Sequence, residues 1–254
     1  MENNKDKKCL IGIPCGSGLM PAYTVDGLFK LNRPIATSLL IIERQSVDNA
    51  RNFIIELGLQ MKVDYILFID DDTVIPNNTL ELMLEDDKDI VCAPVMTRNK
   101  RDNGKHALCC FEKYNFYIGD GKTVDKYRSI EKFEEGYLHR IDACGGACLL
   151  IKREVLEALY YKHNAKPFEF THELHTTEEH GVTERNISED MTFCERSRKE
   201  GFEIWVDTRI RPVHLGKPEF ARYEIEGETL PDMKEKIKGG STLSEQLRIE
   251  NKLT

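Results

Sequence analysis

The chain predicts an α/β fold with a mixed, mostly parallel central sheet flanked by helices. Three observations carry that expectation. Short apolar runs at Cys9–Pro14, Tyr65–Ile69, Asp89–Val95 and Cys148–Ile151 have the unbroken character of strands buried on both faces. Between such runs lie stretches of helical period, clearest from Val47 to Leu59. Two of the runs end abruptly in ligand-type turns, Cys15-Gly16-Ser17-Gly18 and Asp70-Asp71-Asp72. Ligands of open α/β sheets gather at such carboxyl ends.

A chain of 254 residues can form one large α/β domain with a sizeable core. Its formal net charge of −8 repels polyanions, which argues against a general nucleic-acid binder. The polar opening MENNKDKK leads straight into a strand, so no signal peptide is expected. No apolar run approaches the ~18 residues of a membrane-spanning helix, so no integral membrane association is expected. The eight cysteines are scattered without paired CxxC clusters. They read as reduced core thiols of a cytoplasmic protein.

In order, Cys9–Pro14 is the first strand, and Gly16 to Gly18 allow a ligand close to the backbone. The spacing is neither GxGxxG nor a P-loop. Met20–Pro34 reads as loop and short helix. Ser38–Glu43 is a second strand, and Arg44, Arg51 and Asn52 surround the first turns of the next helix. Those arginines suit an anionic diphosphate at a helix N-terminus, or equally a solvated pairing with Glu43 or Asp48. After the aspartates come a short helix near Asn78–Leu84 and the strand Asp89–Val95. The basic stretch Thr97–His106, TRNKRDNGKH, reads as a solvated hairpin or a loop over a phosphate-bearing ligand. Leu108–Tyr117 is strand-like, and Gly145-Gly146 suggests close packing or a floor beneath substrate. Lys152–Tyr161 is helical. Residues 162–186 carry His163, His172, His175 and His180 without HExxH spacing, and read as a flexible lid. Ser188 is a fair N-cap for a helix holding Glu189 and Asp190, followed by the strand Phe202–Val206 and by His214.

The triplet Asp70-Asp71-Asp72 is the sharpest chemical signal. Three adjacent carboxylates at a strand end repel one another, and a hard divalent cation relieves that cost. Capping the next helix would use one aspartate and leave two unexplained.

Together FIDDD, GGACLLIKREVLEAL, SEDMTFCERSRKEGFEIWVD and the late VHLG, in that order, resemble the GT-A-fold glycosyltransferases, closest to family-two-like enzymes that use nucleotide sugars. The resemblance runs from about Leu10 to Gly216. It implies a single GT-A (Rossmann-like) domain over residues 1–223, with 224–254 as a charged extension. It implies that Asp70 and Asp72 are the two aspartates of a DxD motif around Mn²⁺ or Mg²⁺, with His214 as a further ligand. Pro14, Cys15, Gly16, Arg44, Arg51, Asp70, Asp71, Gly146 and Lys217 would face the nucleotide sugar. Asp190, with Glu189 beside it, would be the general base for inverting transfer. His214 to Pro218 also resembles retaining members, in which a late histidine and lysine contact the diphosphate.

A UDP- or GDP-sugar is the expected donor, and a glycan or protein the expected acceptor. A modified DNA base, as in phage-type enzymes, is the alternative acceptor, kept open by Lys100, Arg101 and Lys105. A nucleotidyltransferase is the alternative activity, because it too places aspartates on Mg²⁺. It predicts basic residues trailing the glycine-rich turn, and none trails Gly18.

Overall fold

A computed structural model describes residues 6–98, 100, 104–119, 122–162, 166–177, 181–215 and 220–222. Lys217, Arg101, His163, His180 and the 224–254 extension lie outside the described residues.

The chain begins with β1 (Lys8–Cys15), α1 (Ala22–Lys30), β2 (Ala36–Glu43), α2 (Val47–Gln60) and β3 (Tyr65–Ile69). The two-residue β4 (Thr73–Val74), α3 (Thr79–Glu85) and β5 (Ile90–Cys92) follow. Next come the hairpin β6 (Cys110–Gly119) and β7 (Lys122–Ser129), then β8 (Leu138–Ile141), β9 (Ala143–Cys144) and β10 (Cys148–Lys152). Helix α4 (Arg153–Glu157) runs on into a π-helical turn at Ala158–Lys162. The last elements are β11 (Thr171–Thr177), β12 (Gly181–Ile187), α5 (Glu189–Lys199), β13 (Ile204–Asp207), β14 (Val213–Leu215) and β15 (Phe220–Arg222).

Seven strands form the central sheet in the order β2-β1-β3-β10-β5-β13-β8. Pairing is parallel between β1 and both β2 and β3, and between β5 and β13; β10 and β8 run the other way. The alternation of side chains across β3 builds two cores. Ile66 and Phe68 join α2 and α4 on one face, while Tyr65, Leu67 and Ile69 meet Leu28, Leu80 and Met83 on the other. All five β3 residues are buried, as expected for a strand covered on both faces. Each large aliphatic group so buried contributes roughly 1.5–3 kcal/mol. Helix α2 lies close on β1 because Gly12 has no side chain. A Cβ there would stand 2.5 Å from Ile54 Cγ2.

The stretch read as a flexible lid forms the β11–β12 hairpin, paired from Thr171↔Ile187 to Thr177↔Gly181. No helix among the described residues is long and apolar enough to cross a membrane. All eight cysteines are free thiols, and Cys109 alone is more than slightly exposed.

Candidate functional site

The sheet order puts the crevice where the chain changes direction. From β1 the chain goes to β2 on one side, while β3 lies on the other, the arrangement that opens a ligand crevice in α/β sheets. β1 and β3 are registered only through Gly12↔Phe68, whereas β1 and β2 stay paired to Cys15↔Glu43. The strands therefore part below Pro14, Cys15 and Gly16 on one bank and Asp70 to Asp72 on the other.

On the first bank, the amides of Gly18 and Arg44 both donate to the Cys15 carbonyl, at 3.1 Å. Arg44 adopts a left-handed backbone, φ 57°, strain that persists only where the surroundings enforce it. Its exposed side chain crosses the turn: a Cβ built on Gly18 would lie 3.4 Å from Arg44 Nε. Cys15 is buried, and its thiol is hydrogen-bonded to Asp71. Burial, that hydrogen bond and the Asp71 charge push the thiol up from its ordinary value. Burial likewise raises Asp71, and the Cys15 hydrogen bond opposes the rise.

The aspartate turn itself is pinned from three directions. The Asp70 amide donates to Ala147 O at 3.0 Å, the Thr73 amide to Asp70 O at 3.0 Å, and the Leu215 amide to Asp72 O at 2.8 Å. The last bond, with the pairing His214↔Thr73, brings β14 against the triplet. His214 is buried, and its Nδ1 donates to Met96 O at 2.7 Å. Asp72 Oδ1 lies 3.2 Å from Nε2. Asp72 Oδ1 is buried without a hydrogen-bond partner. Arg98 spans the pair: its Nη2 meets Asp72 Oδ2 at 2.5 Å and its Nε donates to His214 Nε2 at 3.0 Å. Burial lowers the affinity of His214 for a proton, but Asp72 and the Met96 carbonyl outweigh it and the net shift is upward.

Asp70 is held differently. Arg51 lies beneath the crevice floor, 2% exposed, with Nη2 on Asp70 Oδ1 at 2.8 Å and Nη1 on Glu189 Oε1 at 2.7 Å. Its guanidinium stands 5.3 Å from the Phe168 ring centroid and packs against Gly146, where a Cβ would fall 2.5 Å from Arg51 Cζ. Gly146 thus gives close packing under the site. Asn52 fixes Phe168 by two bonds, Nδ2 to its carbonyl at 2.6 Å and Oδ1 from its amide at 3.1 Å. The sequence suggested an Arg51 that faces a nucleotide; its guanidinium points inward and touches carboxylates.

Helix α5 brings Glu189 and Asp190 to the same edge. Ser188 is its N-cap residue, but the hydroxyl donates to Asp190 Oδ1 rather than to the backbone. The Met191 amide also donates to Oδ1, at 2.8 Å. Asp190 Oδ2 faces Gly145, whose Cβ would lie 3.6 Å away. Glu189 is buried, and burial with the neighbouring Asp190 raises its pKa although Arg51 opposes.

The edge therefore joins Cys15, Gly16 and Arg44 on one bank, Asp71 on the other, Asp72 and His214 at one end, and Asp190 on α5. Sequence reasoning did not single out Arg98, although it lies in the most basic stretch of the chain. Among the described residues, no group of three or more His, Cys, Asp or Glu side chains converges as a metal cage.

No protein-family model matches the sequence, and no curated protein does. Among solved structures the chain is similar to A197 from STIV, 16% identical over 88% of this chain and 97% of that one, with a TM-score of 0.51. It is also similar to S. aureus TarS 1–349, at 13% identity, 80% and 58% coverage and a TM-score of 0.40. A third similar structure is UDP-glucose pyrophosphorylase complexed with UDP-glucose, at 9% identity, 85% and 92% coverage and a TM-score of 0.40. At 16% identity the likeness to A197 is one of fold alone.

Proposed function

We propose that the chain is a metal-dependent glycosyltransferase. It moves a sugar from a UDP- or GDP-sugar to an acceptor hydroxyl with inversion, the acceptor being a glycan or a protein. The observation that carries this reading is the buried Asp72 Oδ1, left without a hydrogen-bond partner 3.2 Å from His214 Nε2. Arg98 meets the other Asp72 oxygen and Nε2, and a small cation placed between Oδ1 and Nε2 would satisfy the oxygen that Arg98 leaves out. A metal-ligating histidine typically donates its other ring N–H to a carbonyl, as His214 does to Met96. A carboxylate and a neutral imidazole suit Mn²⁺ or Mg²⁺, with donor phosphates and water completing the shell. When bound, the ion would offset the charge that develops on the departing diphosphate.

In this reading Arg44 and the amides around Gly16 to Gly18 hold the donor phosphates, and Asp71 with Cys15 borders the nucleoside. Asp70 keeps one oxygen on Arg51 and turns the other to the donor. Ser188 and the Met191 amide fix Asp190 Oδ1, leaving Oδ2 to accept the proton of the acceptor hydroxyl. The acceptor oxygen bonds to the anomeric carbon as the bond to the diphosphate breaks on the opposite face.

Thermal-shift titration with UDP- and GDP-sugars, with and without Mn²⁺, tests the donor site. A metal-dependent rise that Asp72→Ala abolishes is the expected result. Asp190→Asn should keep that rise while donor turnover falls by roughly 10²–10⁴-fold. Loss of donor binding in Asp190→Asn would sink the base assignment.

One observation favours a second reading, a nucleotidyltransferase. Arg44 supplies from β2 the basic group that the sequence lacks after Gly18. That reading predicts a melting rise with free nucleoside triphosphates, and pyrophosphate release from the triphosphate when a sugar 1-phosphate is added.

A further inference from the structure

We propose that Arg98 is a built-in, displaceable counter-cation, holding Asp72 and His214 in the metal-free protein and giving way when the divalent cation enters. The inference rests on reading Asp72 and His214 as the cation's ligands. Both act as acceptors toward Arg98, the histidine because Arg98 Nε donates to its Nε2 at 3.0 Å. A guanidinium has only donors, so Arg98 takes the His214 Nε2 lone pair that a metal between His214 and Asp72 would use. Occupancy by one excludes the other.

Two features make Arg98 a loose occupant. First, its fork does not satisfy the site: Nη2 goes to Asp72 Oδ2 and Nε to His214 Nε2, and the buried Oδ1 between them receives nothing. A spherical ion can meet Oδ1 and Nε2 together, which the planar fork does not do. Second, the Arg98 side chain is 55% exposed while Asp72 and His214 are 14% and 11%. The acceptors are fixed by the β14 contact; the donor arrives from solvent. Its backbone continues from Thr97, whose amide donates to Ala107 O at 2.7 Å, so the side chain can swing out without breaking that pairing. Exchange of one positive charge for two also raises the charge of the site by one, which favours metal entry together with a negatively charged diphosphate.

The test is Mn²⁺ binding to the full chain, read by the loss of the free-ion electron paramagnetic resonance signal, with the metal alone as probe. Arg98→Ala should bind Mn²⁺ about fivefold more tightly than the unmodified protein, the factor supplied by an ion pair of about 1 kcal/mol. Arg98→Lys, which keeps a charge but loses the fork, should fall between them. Equal or weaker binding in Arg98→Ala, or no Mn²⁺ binding by either protein, overturns the inference. Asp72→Ala and His214→Ala separate the two ideas. If they bind Mn²⁺ as the unmodified protein does, the metal-ligand reading itself fails. If they lose binding while Arg98→Ala gains none, only the counter-cation inference fails.

Discussion

Two arginines each hold one end of the aspartate triplet, and they hold it in opposite ways. Arg51 is 2% exposed, bridges Asp70 and Glu189, and is packed between Phe168 and Gly146. Arg98 is 55% exposed and reaches Asp72 and His214 from a loop. Burial tends to neutralise Arg51, but Asp70, Glu189 and Asp190 more than compensate, and its pKa rises. One guanidinium is part of the interior and joins α2, β3 and α5. The other is a surface ion pair on buried acceptors. Location decides which can be exchanged: a cation enclosed by protein has no route out, whereas a half-exposed one trades readily with solvent ions.

The sharpest way to break that comparison is to delete each guanidinium. Arg51→Ala leaves Asp70 and Glu189 facing each other without a cation, and should cost about 3–5 kcal/mol in urea-unfolding free energy. Arg98→Ala removes a largely solvated pair and should cost no more than ~1 kcal/mol. Equal losses for the two would show that exposure does not distinguish them. Arg51→Lys keeps the charge but offers no two-armed fork, so it should lie between Arg51→Ala and the unmodified chain.

A smaller effect comes from the backbone side of the same node. Gly146→Ala places a Cβ 2.5 Å from Arg51 Cζ, and the guanidinium is fully enclosed, so something must shift. Overpacking of this kind costs roughly 1–3 kcal/mol. Combined with Arg51→Ala, which vacates the space, the glycine substitution should cost much less than it does alone. Strict additivity in that double-mutant cycle would place the strain elsewhere.

The same contrast explains what was legible in the sequence. Tyr65–Ile69 and Val47–Leu59 could be read because burial leaves a direct mark: a continuous apolar run or a 3.6-residue stripe. The direction of β10 could not, since Cys148–Lys152 reads alike paired either way. The β11–β12 hairpin was missed because its pairs, such as His172↔Asn186, are polar and carry no apolar alternation. The charge of Arg51 fits an anionic ligand or a solvated pairing equally, and the family resemblance sets it toward the nucleotide. Its position relative to Ile54, Ile55 and Gly58, three, four and seven residues on, sets it on the buried stripe, and that signal was there. Arg98 left only the compositional trace of a basic segment, because its partners lie 26 residues before it and 116 residues after it.

A third arginine grades the comparison and carries the smallest expected effect. Arg209 is bidentate on the buried Asp207, with Nε on Oδ1 at 2.9 Å and Nη2 on Oδ2 at 2.8 Å, and shares Nη2 with Asp86 Oδ1 at 2.5 Å. Unlike Arg51, it does not give each carboxylate its own arm, and Asp86 Oδ2 is left buried without a partner. Burial, with the Asp207 charge next and Arg209 opposing, pushes Asp86 up from 3.8 to about 7; the nearby Glu85 adds to the rise. Because the folded-state value is raised, the native chain holds a proton that the unfolded chain releases above about pH 4. This contribution to stability is therefore full below about pH 4 and is lost as pH rises toward about 7. Asp86→Asn keeps the shape and removes the titration. Its urea midpoint should lose less between pH 5 and pH 7 than that of the unmodified chain, because every other titrating group is shared by both proteins. Identical slopes would mean that Asp86 carries no raised proton affinity in the folded chain.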